Sequence, residues 1–218
     1  MHTPSIPASP SATDYAKEGE RDLSWLDAAD PVALFDAWLA RAGETEPNDP
    51  NAVSLATVDA NGQPDVRIVL LKGLSDAGFD IYTNAESAKG RQMEANPRAA
   101  LCFHWKTQRR QVRVRGRVER VGEAGSDAYF ATRARGSRLS AWASKQSRPA
   151  EDRAELVASM EAAEARFEGE DVPRPPHWYG FRIVPDAIEF WQDGAFRLHD
   201  RNLFTRAGEN WETTRLYP

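Results

Sequence analysis

The feature that most constrains the fold is a succession of short extended runs, bounded by turn residues, that begins at Ala52 and resumes near the C-terminus after a helical middle. Val53 to Val58 and Val66 to Leu71 flank Asn61-Gly62, a strong short-range hairpin signal, and Phe79 to Thr83 follows as a third strand. Two more strands, Ala99 to Trp105 and Gln111 to Val121, come next. In the second, Val112, Val114 and Val118 alternate with Arg113, Arg115 and Arg117, while Gly116 marks a bulge or a close backbone approach. Strands return at Tyr179 to Val184, Ala187 to Gln192, Leu198 to Thr205 and Trp211 to Leu216. Strands at both ends with helices between them predict an α+β protein built on an antiparallel barrel with peripheral helices.

Asp30-Pro31 supplies an N-cap and a first-turn proline, and Phe35, Trp38, Leu39 and Ala42 follow at helical spacing. Ser87 to Ala95 reads as a short helix stopped at Asn96-Pro97. Ser126 to Ala134 and Ser137 to Ser144 also read as helices. Glu151 to Phe167 is expected to be the longest helix, with Leu156, Met160, Ala163 and Phe167 as its buried stripe. Residues 1–20 are rich in Pro, Ser and Ala without hydrophobic periodicity and read as a flexible tail, leaving 21–218 as one domain.

The net charge of −5 argues against a general polyanion binder and leaves room for local basic pockets. Cys102 is the only cysteine, set in the apolar run from Ala99 to Phe103, so it reads as a buried, inert thiol in a reducing compartment. With no secretory h-region and no apolar run of about 18 residues, the expectation is a cytoplasmic protein with no membrane partner.

Several segments make anion-binding statements, each with a plainer alternative. If Arg197 to Arg201 is extended, Arg197, His199 and Arg201 share one face, which suits an anionic ligand or a solvated strand edge. Arg67 and Lys72 bracket a strongly β-forming run and serve either two anions or an exposed strand end. Tyr82-Thr83 leads into Ser87-Ala88-Lys89 at a helix start, where free N–H groups and the dipole favour phosphate; the alternative is a simple serine cap. Tyr129 and Arg133 share a face if helical, and with Ser137 they form a phosphate cradle, unless Tyr129 packs inward. The run from Arg109 to Arg117 lacks interleaved aromatics and fits a solvated face or subunit interface better than nucleic acid. No metal-ligand spacing, Rossmann glycine pattern or P-loop occurs.

Taken in order, these segments resemble the pyridoxamine 5′-phosphate oxidase family. The resemblance runs from about Asp30 to Pro218 and is carried by Arg67-Ile68-Val69-Leu70-Leu71-Lys72, Phe79 to Asn84, Ala141 to Ser147, Ile188 to Gln192, Arg197 to Arg201 and Arg215 to Pro218. It implies an FMN-binding split barrel working as a homodimer, with FMN at the subunit interface. The FMN-binding positions implied are Arg67, Ile68, Val69, Leu70, Leu71 and Lys72, then Tyr82, Thr83, Ser87 and Lys89, and finally Gln111, Gln146, Ser147, Trp191 and Arg201. Lys72, Tyr129, Arg133 and Ser137 would take the substrate phosphate, while Arg197 and His199 would sit against the substrate ring as catalytic residues.

The implied reaction oxidises a phosphorylated B6 vitamer, amine or alcohol, to pyridoxal 5′-phosphate, passing electrons to O2 and yielding hydrogen peroxide. Two departures stand out. Ala88 occupies a position where the family commonly carries a second basic residue, which predicts weaker hold on the FMN phosphate. Tyr15 matches a tail tyrosine of the family, yet Ala12 stands where an arginine is usual, which puts closure of the tail in doubt. The rival readings are an FMN oxidase of another ring system, as in the phenazine pathway, and a non-catalytic carrier of flavin, haem or pyridoxal phosphate.

Overall fold

A computed structural model describes residues 21–218; the expectations for the N-terminal tail, Ala12 and Tyr15 among them, lie outside the described residues. The first helix, α1 (Pro31–Thr45), starts where Asp30 Oδ1 accepts the Val32 and Ala33 N–H groups at 2.8 and 3.2 Å. Its apolar face then enters the barrel. Phe35 meets Phe79 and Phe103 edge-on, with centroids 5.0 and 4.8 Å away, and Trp38 meets Phe190 at 5.1 Å. Burying each such ring stabilises the fold by about 2–3 kcal/mol.

Among the described residues nine strands form one curled antiparallel sheet. They are β1 (Ala52–Val58), β2 (Pro64–Leu70), β3 (Gly73–Ser75), β4 (Gly78–Asn84), β5 (Arg98–Trp105), β6 (Arg110–Arg120), β7 (Trp178–Gln192), β8 (Asp200–Ala207) and β9 (Asn210–Arg215). The order is β2-β1-β5-β6-β7-β4-β3, with β8 also pairing β7 and carrying β9. Helix α2 (Ala88–Ala95) follows β4, and α3 (Glu123–Ala131), α4 (Arg135–Ala143) and α5 (Arg153–Arg166) lie between β6 and β7.

The two strands expected between Tyr179 and Gln192 are one strand, β7. It pairs β6 along one edge, while its other edge pairs β4 through Trp178 to Ile183 and then β8 through Ala187 to Gln192. Pro185, which has no N–H to donate, sits at the changeover. Opposite it the register shifts between Arg115 and Gly116, the bulge that the sequence marks. A Cβ on Gly116 would lie 2.0 Å from the Val184 carbonyl oxygen, so only glycine fits there.

Three local expectations change. Leu156 is exposed, and only Ala163 and Phe167 of its stripe are buried, because α5 rests on α4 at the edge of the fold. At 14 residues α5 is also shorter than the 15-residue α1. Cys102 is half-buried, and desolvation raises its thiol pKa.

Candidate active site

A cleft of ≈ 340 Å³ opens where β2, β4, α3 and α4 converge. One end is built on the turn from β4 into α2. Ser87 caps α2 there: its hydroxyl donates to the Asn84 carbonyl at 2.6 Å and accepts the Gly90 N–H at 3.2 Å. Fully buried and engaged in this way, Ser87 sets the helix start and holds Lys89 in the first turn. Lys89 Nζ donates to Thr83 Oγ1 at 3.3 Å and Gln146 Oε1 at 3.2 Å, both neutral. Burial lowers the Lys89 pKa, and the nearby Arg67 charge lowers it further.

The other end is aromatic. Tyr82 stacks on Tyr129 with centroids 4.0 Å apart, and Trp178 continues the stack at 5.7 Å from Tyr82. The Arg133 guanidinium lies over the Trp178 ring at 4.7 Å. Tyr129 and Arg133 do not share a helix, since α3 ends at Ala131 and the chain turns back through Arg133 N–H to the Phe130 carbonyl at 3.1 Å. Both side chains nevertheless line the cleft. Burial lowers the Arg133 pKa and raises those of Tyr82 and Tyr129. Arg133 Nη1 is buried without a hydrogen-bond partner. A desolvated guanidinium with an unused donor, in one cleft with a desolvated lysine, is chemistry that an anion completes.

Ile68, Val69, Leu70 and Lys72 also line the cleft, whereas Leu71 turns into the core. Arg67 lies beside it, donating to Thr57 Oγ1 at 2.5 Å and Gln92 Oε1 at 3.0 Å and pairing with Asp65. Ser137 sits exposed in the first turn of α4, and Ser140, one turn on, reaches the cleft instead. Ser147 follows Gln146 in a left-handed conformation, φ 69°. Asn84 and Ser144, which lie within the family-like motifs but carry no expected binding role, also line the cleft, as does Trp178, which no motif singled out. The aromatic run His177-Trp178-Tyr179 after the proline-rich connector was the available signal for Trp178.

A second group lies at the far end of β7. Gln111, Trp191 and Arg201 are register neighbours across β6, β7 and β8 and form one row. Arg197 and His199 precede this row, but not on an extended strand. Ala195–Arg197 forms a 3₁₀ turn with Phe196 and Arg197 at φ 54° and 64°, and β8 begins only at Asp200. The expected alternation of Arg197, His199 and Arg201 on one strand face therefore fails. Gly194 permits the turn, because a Cβ there would lie 2.0 Å from the Leu198 carbonyl oxygen. His199 packs beside Trp191 at 4.7 Å, while Arg197 is exposed.

Among the described residues no cluster of His, Cys, Asp and Glu could hold a metal ion, and no helix is long and apolar enough to cross a membrane. Three of the five arginines of β6 are tied to carboxylates, Arg113 to Glu189, Arg117 to Glu119 and Arg120 to Glu94, which describes a largely paired surface.

A curled antiparallel half-barrel that carries, among the described residues, five α-helices and a cationic cleft defines the FMN-binding split-barrel class. The fold superposes on PhzG from Burkholderia lata in complex with tetrahydrophenazine-1-carboxylic acid, with a TM-score of 0.85, 30% identity, and coverage of 91% of this chain and 98% of that one. A pyridoxamine 5′-phosphate oxidase-related, FMN-binding protein from Nostoc punctiforme shares the fold at a TM-score of 0.70 and 17% identity, covering 88% of this chain and 100% of that one. The chain belongs to the pyridoxamine 5′-phosphate oxidase family, whose profile matches residues 40–167, and a pyridoxine 5′-phosphate oxidase C-terminal dimerisation region matches 178–218. The pyridoxine/pyridoxamine 5′-phosphate oxidase of Hyphomonas neptunium is 60% identical over 215 residues, 98% of each chain.

Proposed function

We propose that this chain is an FMN-dependent oxidase that converts pyridoxamine 5′-phosphate or pyridoxine 5′-phosphate to pyridoxal 5′-phosphate. The observation that carries the reading is the buried, unpartnered Arg133 Nη1 in a cleft that also holds Lys72 and Lys89. Among the described residues none of these three cations forms an ion pair. A phenazine carboxylate would bring one negative charge on two oxygens, whereas a phosphate brings up to two charges on three free oxygens and so matches three cations better, which favours a phosphorylated substrate over a phenazine acid.

FMN fits the same chemistry. Lys89, Thr83 and Gln146 would hold its phosphate end, with Arg67 adding positive charge from beside the cleft. Lys72, Tyr129 and Arg133 would take the substrate phosphate, and Ser137 would join them from the exposed start of α4. FMN, when bound, would accept a hydride from the substrate and pass its two electrons, with two protons, to dioxygen to give hydrogen peroxide; the alcohol substrate would leave as the aldehyde, and the amine as an imine that water hydrolyses to the aldehyde and ammonia. The protein's own contribution is orientation: the cradle fixes the phosphate and so the reacting carbon, and the aromatic stack of Tyr82, Tyr129 and Trp178 keeps water from that side. Arg197 and His199 would bind the substrate ring, Arg197 contributing positive charge and His199 a hydrogen bond.

The working form is a homodimer with the cofactor at the interface. Trp178 at the cleft and Trp191 in the second group lie at opposite ends of β7, ~40 Å apart along an extended strand. The cleft of one protomer would thus be completed by Gln111, Trp191, Arg197, His199 and Arg201 of a second copy. A cytoplasmic setting fits the single cysteine.

The test is the visible absorbance of the FMN-loaded protein, recorded without oxygen before and after pyridoxamine 5′-phosphate is added. Bleaching that air reverses supports the reading. Bleaching only with a dihydrophenazine would instead favour the ring-oxidase alternative, and permanent colour with bound FMN would favour a carrier.

A further inference from the structure

Asp193 sits between three segments of the chain. Its Oδ1 lies 2.9 Å from His199 Nδ1, and its other carboxylate oxygen, Oδ2, pairs with Arg109 in the β5–β6 turn. The two backbones are also joined, with Asp193 N–H donating to the Arg109 carbonyl at 3.0 Å. From the N-terminal side Arg21 Nη1 donates to the Asp193 carbonyl at 2.8 Å. The Asp193 and His199 side chains are only 19% and 20% exposed, so solvent competes weakly for these contacts.

The imidazole meets two opposed demands at Nδ1. Gly194 N–H points at it from 3.1 Å and asks for a lone pair, while the Asp193 carboxylate asks for a proton. A bare nitrogen lone pair 2.9 Å from a carboxylate oxygen is repulsive, whereas an N–H facing that oxygen makes a charge-assisted hydrogen bond of about twice the strength of a neutral one. We propose that Asp193, held by Arg109, is a positioning residue that fixes the neutral His199 as the Nδ1–H tautomer and so presents Nε2 as an acceptor. An Nε2 acceptor takes a hydrogen bond from a hydroxyl or protonated ring group of the substrate; the opposite tautomer could only donate. The reaction-level part rests on the reading of His199 as a substrate-facing residue. The tautomer itself does not.

Asp193→Asn separates charge from shape. Arg109 offers only donors, so it takes the amide oxygen and turns the amide NH2 toward His199 Nδ1. That donor, added to Gly194 N–H, forces Nδ1 to accept and moves the proton to Nε2. The test is a long-range ¹H–¹⁵N correlation spectrum of histidine-labelled, FMN-loaded protein above the ordinary imidazole pKa range, together with steady-state kinetics. The wild type should show His199 as Nδ1–H, and Asp193→Asn should show Nε2–H, with kcat down roughly tenfold or more and FMN affinity unchanged.

An Nε2–H signal in the wild type overturns the proposal, and that spectrum decides the tautomer even if the variant does not fold. A tautomer that stays put in Asp193→Asn overturns it too. A switched tautomer with unchanged kcat removes the role of Asp193 in the reaction. Absence of turnover by a wild type with the Nδ1–H tautomer would instead mark failure of the reading of His199.

Discussion

The buried carboxylate of Glu189 grips Arg201 with one oxygen, Oε1 lying 2.9 Å from Nε and 2.8 Å from Nη2, while Oε2 reaches Arg113 Nη2 at 2.5 Å. Arg201 Nη1 is used as well, donating to the Tyr217 carbonyl at 2.8 Å. The guanidinium is thereby set in the row with Gln111 and Trp191 by the protein's own contacts.

Glu189→Ala should release Arg201 and leave two guanidinium groups unpaired. We expect a loss of about 2 kcal/mol in unfolding free energy and a roughly tenfold weaker FMN Kd, equivalent to about 1.4 kcal/mol. Chemical denaturation and flavin-fluorescence titration measure the two effects. A normal Kd in the folded variant would remove Arg201 from the cofactor site.

Lys89 gives FMN binding a pH dependence with a definite sign. Burial first, and Arg67 second, lower its pKa in the free protein, whereas a bound phosphate raises it by favouring the charged form. Proton uptake on binding therefore spans the interval between the lowered and raised values. Affinity is fully present below the free-protein pKa and falls as pH rises through that interval. The decline should begin below the ordinary lysine range, and Lys89→Arg should flatten it. Titrations across alkaline pH check both statements.

Much of this fold was legible in the sequence because its signals are local. The strand alternation, the Asn61-Gly62 turn, the Asp30 cap and the bulge at Gly116 each follow from residue type and period, and each stands where expected. The turn at Phe196 and Arg197 was hidden because its left-handed φ values run against local preference and are held by the packing of Gly194 on Leu198. Trp178 was hidden for another reason: its place in the cleft comes from β7 pairing with β4, a contact made across nearly a hundred residues of chain. Leu156 carried an apolar signal for a helix face that nothing among the described residues covers.

Gly116→Ala should be among the most damaging single-methyl changes in the protein. The new Cβ meets the Val184 carbonyl oxygen at 2.0 Å and Pro185 Cα at 2.9 Å, both backbone atoms that cannot swing aside. We expect about 3 kcal/mol of destabilisation, read by denaturation, or failure to accumulate as folded protein. Gly122→Ala, with nothing within 4 Å of the added carbon, is the control.

Ala88→Arg restores a second cation at the first helical position, one residue after the Ser87 cap and next to Lys89. A charge-assisted bond to a phosphate there is worth about 1–2 kcal/mol after the modest cost of a cation at a helix N-terminus. FMN should bind roughly tenfold tighter. An unchanged Kd would mean that the phosphate does not approach this turn.

Two defective variants should repair one another if the site is shared between protomers. Lys89→Ala damages the cleft, and Arg201→Ala damages the row at the opposite end of β7. Each homodimer carries the same defect in both sites. When the two are unfolded together and refolded at equal concentration, half of the dimers are mixed, and in each of these one site receives both defects while the other receives neither. Turnover should recover to about a quarter of the wild-type value, measured as pyridoxal 5′-phosphate formed under saturating FMN. If each protomer instead built a complete site from its own residues, every site in every dimer would keep one defect, and mixing would restore nothing.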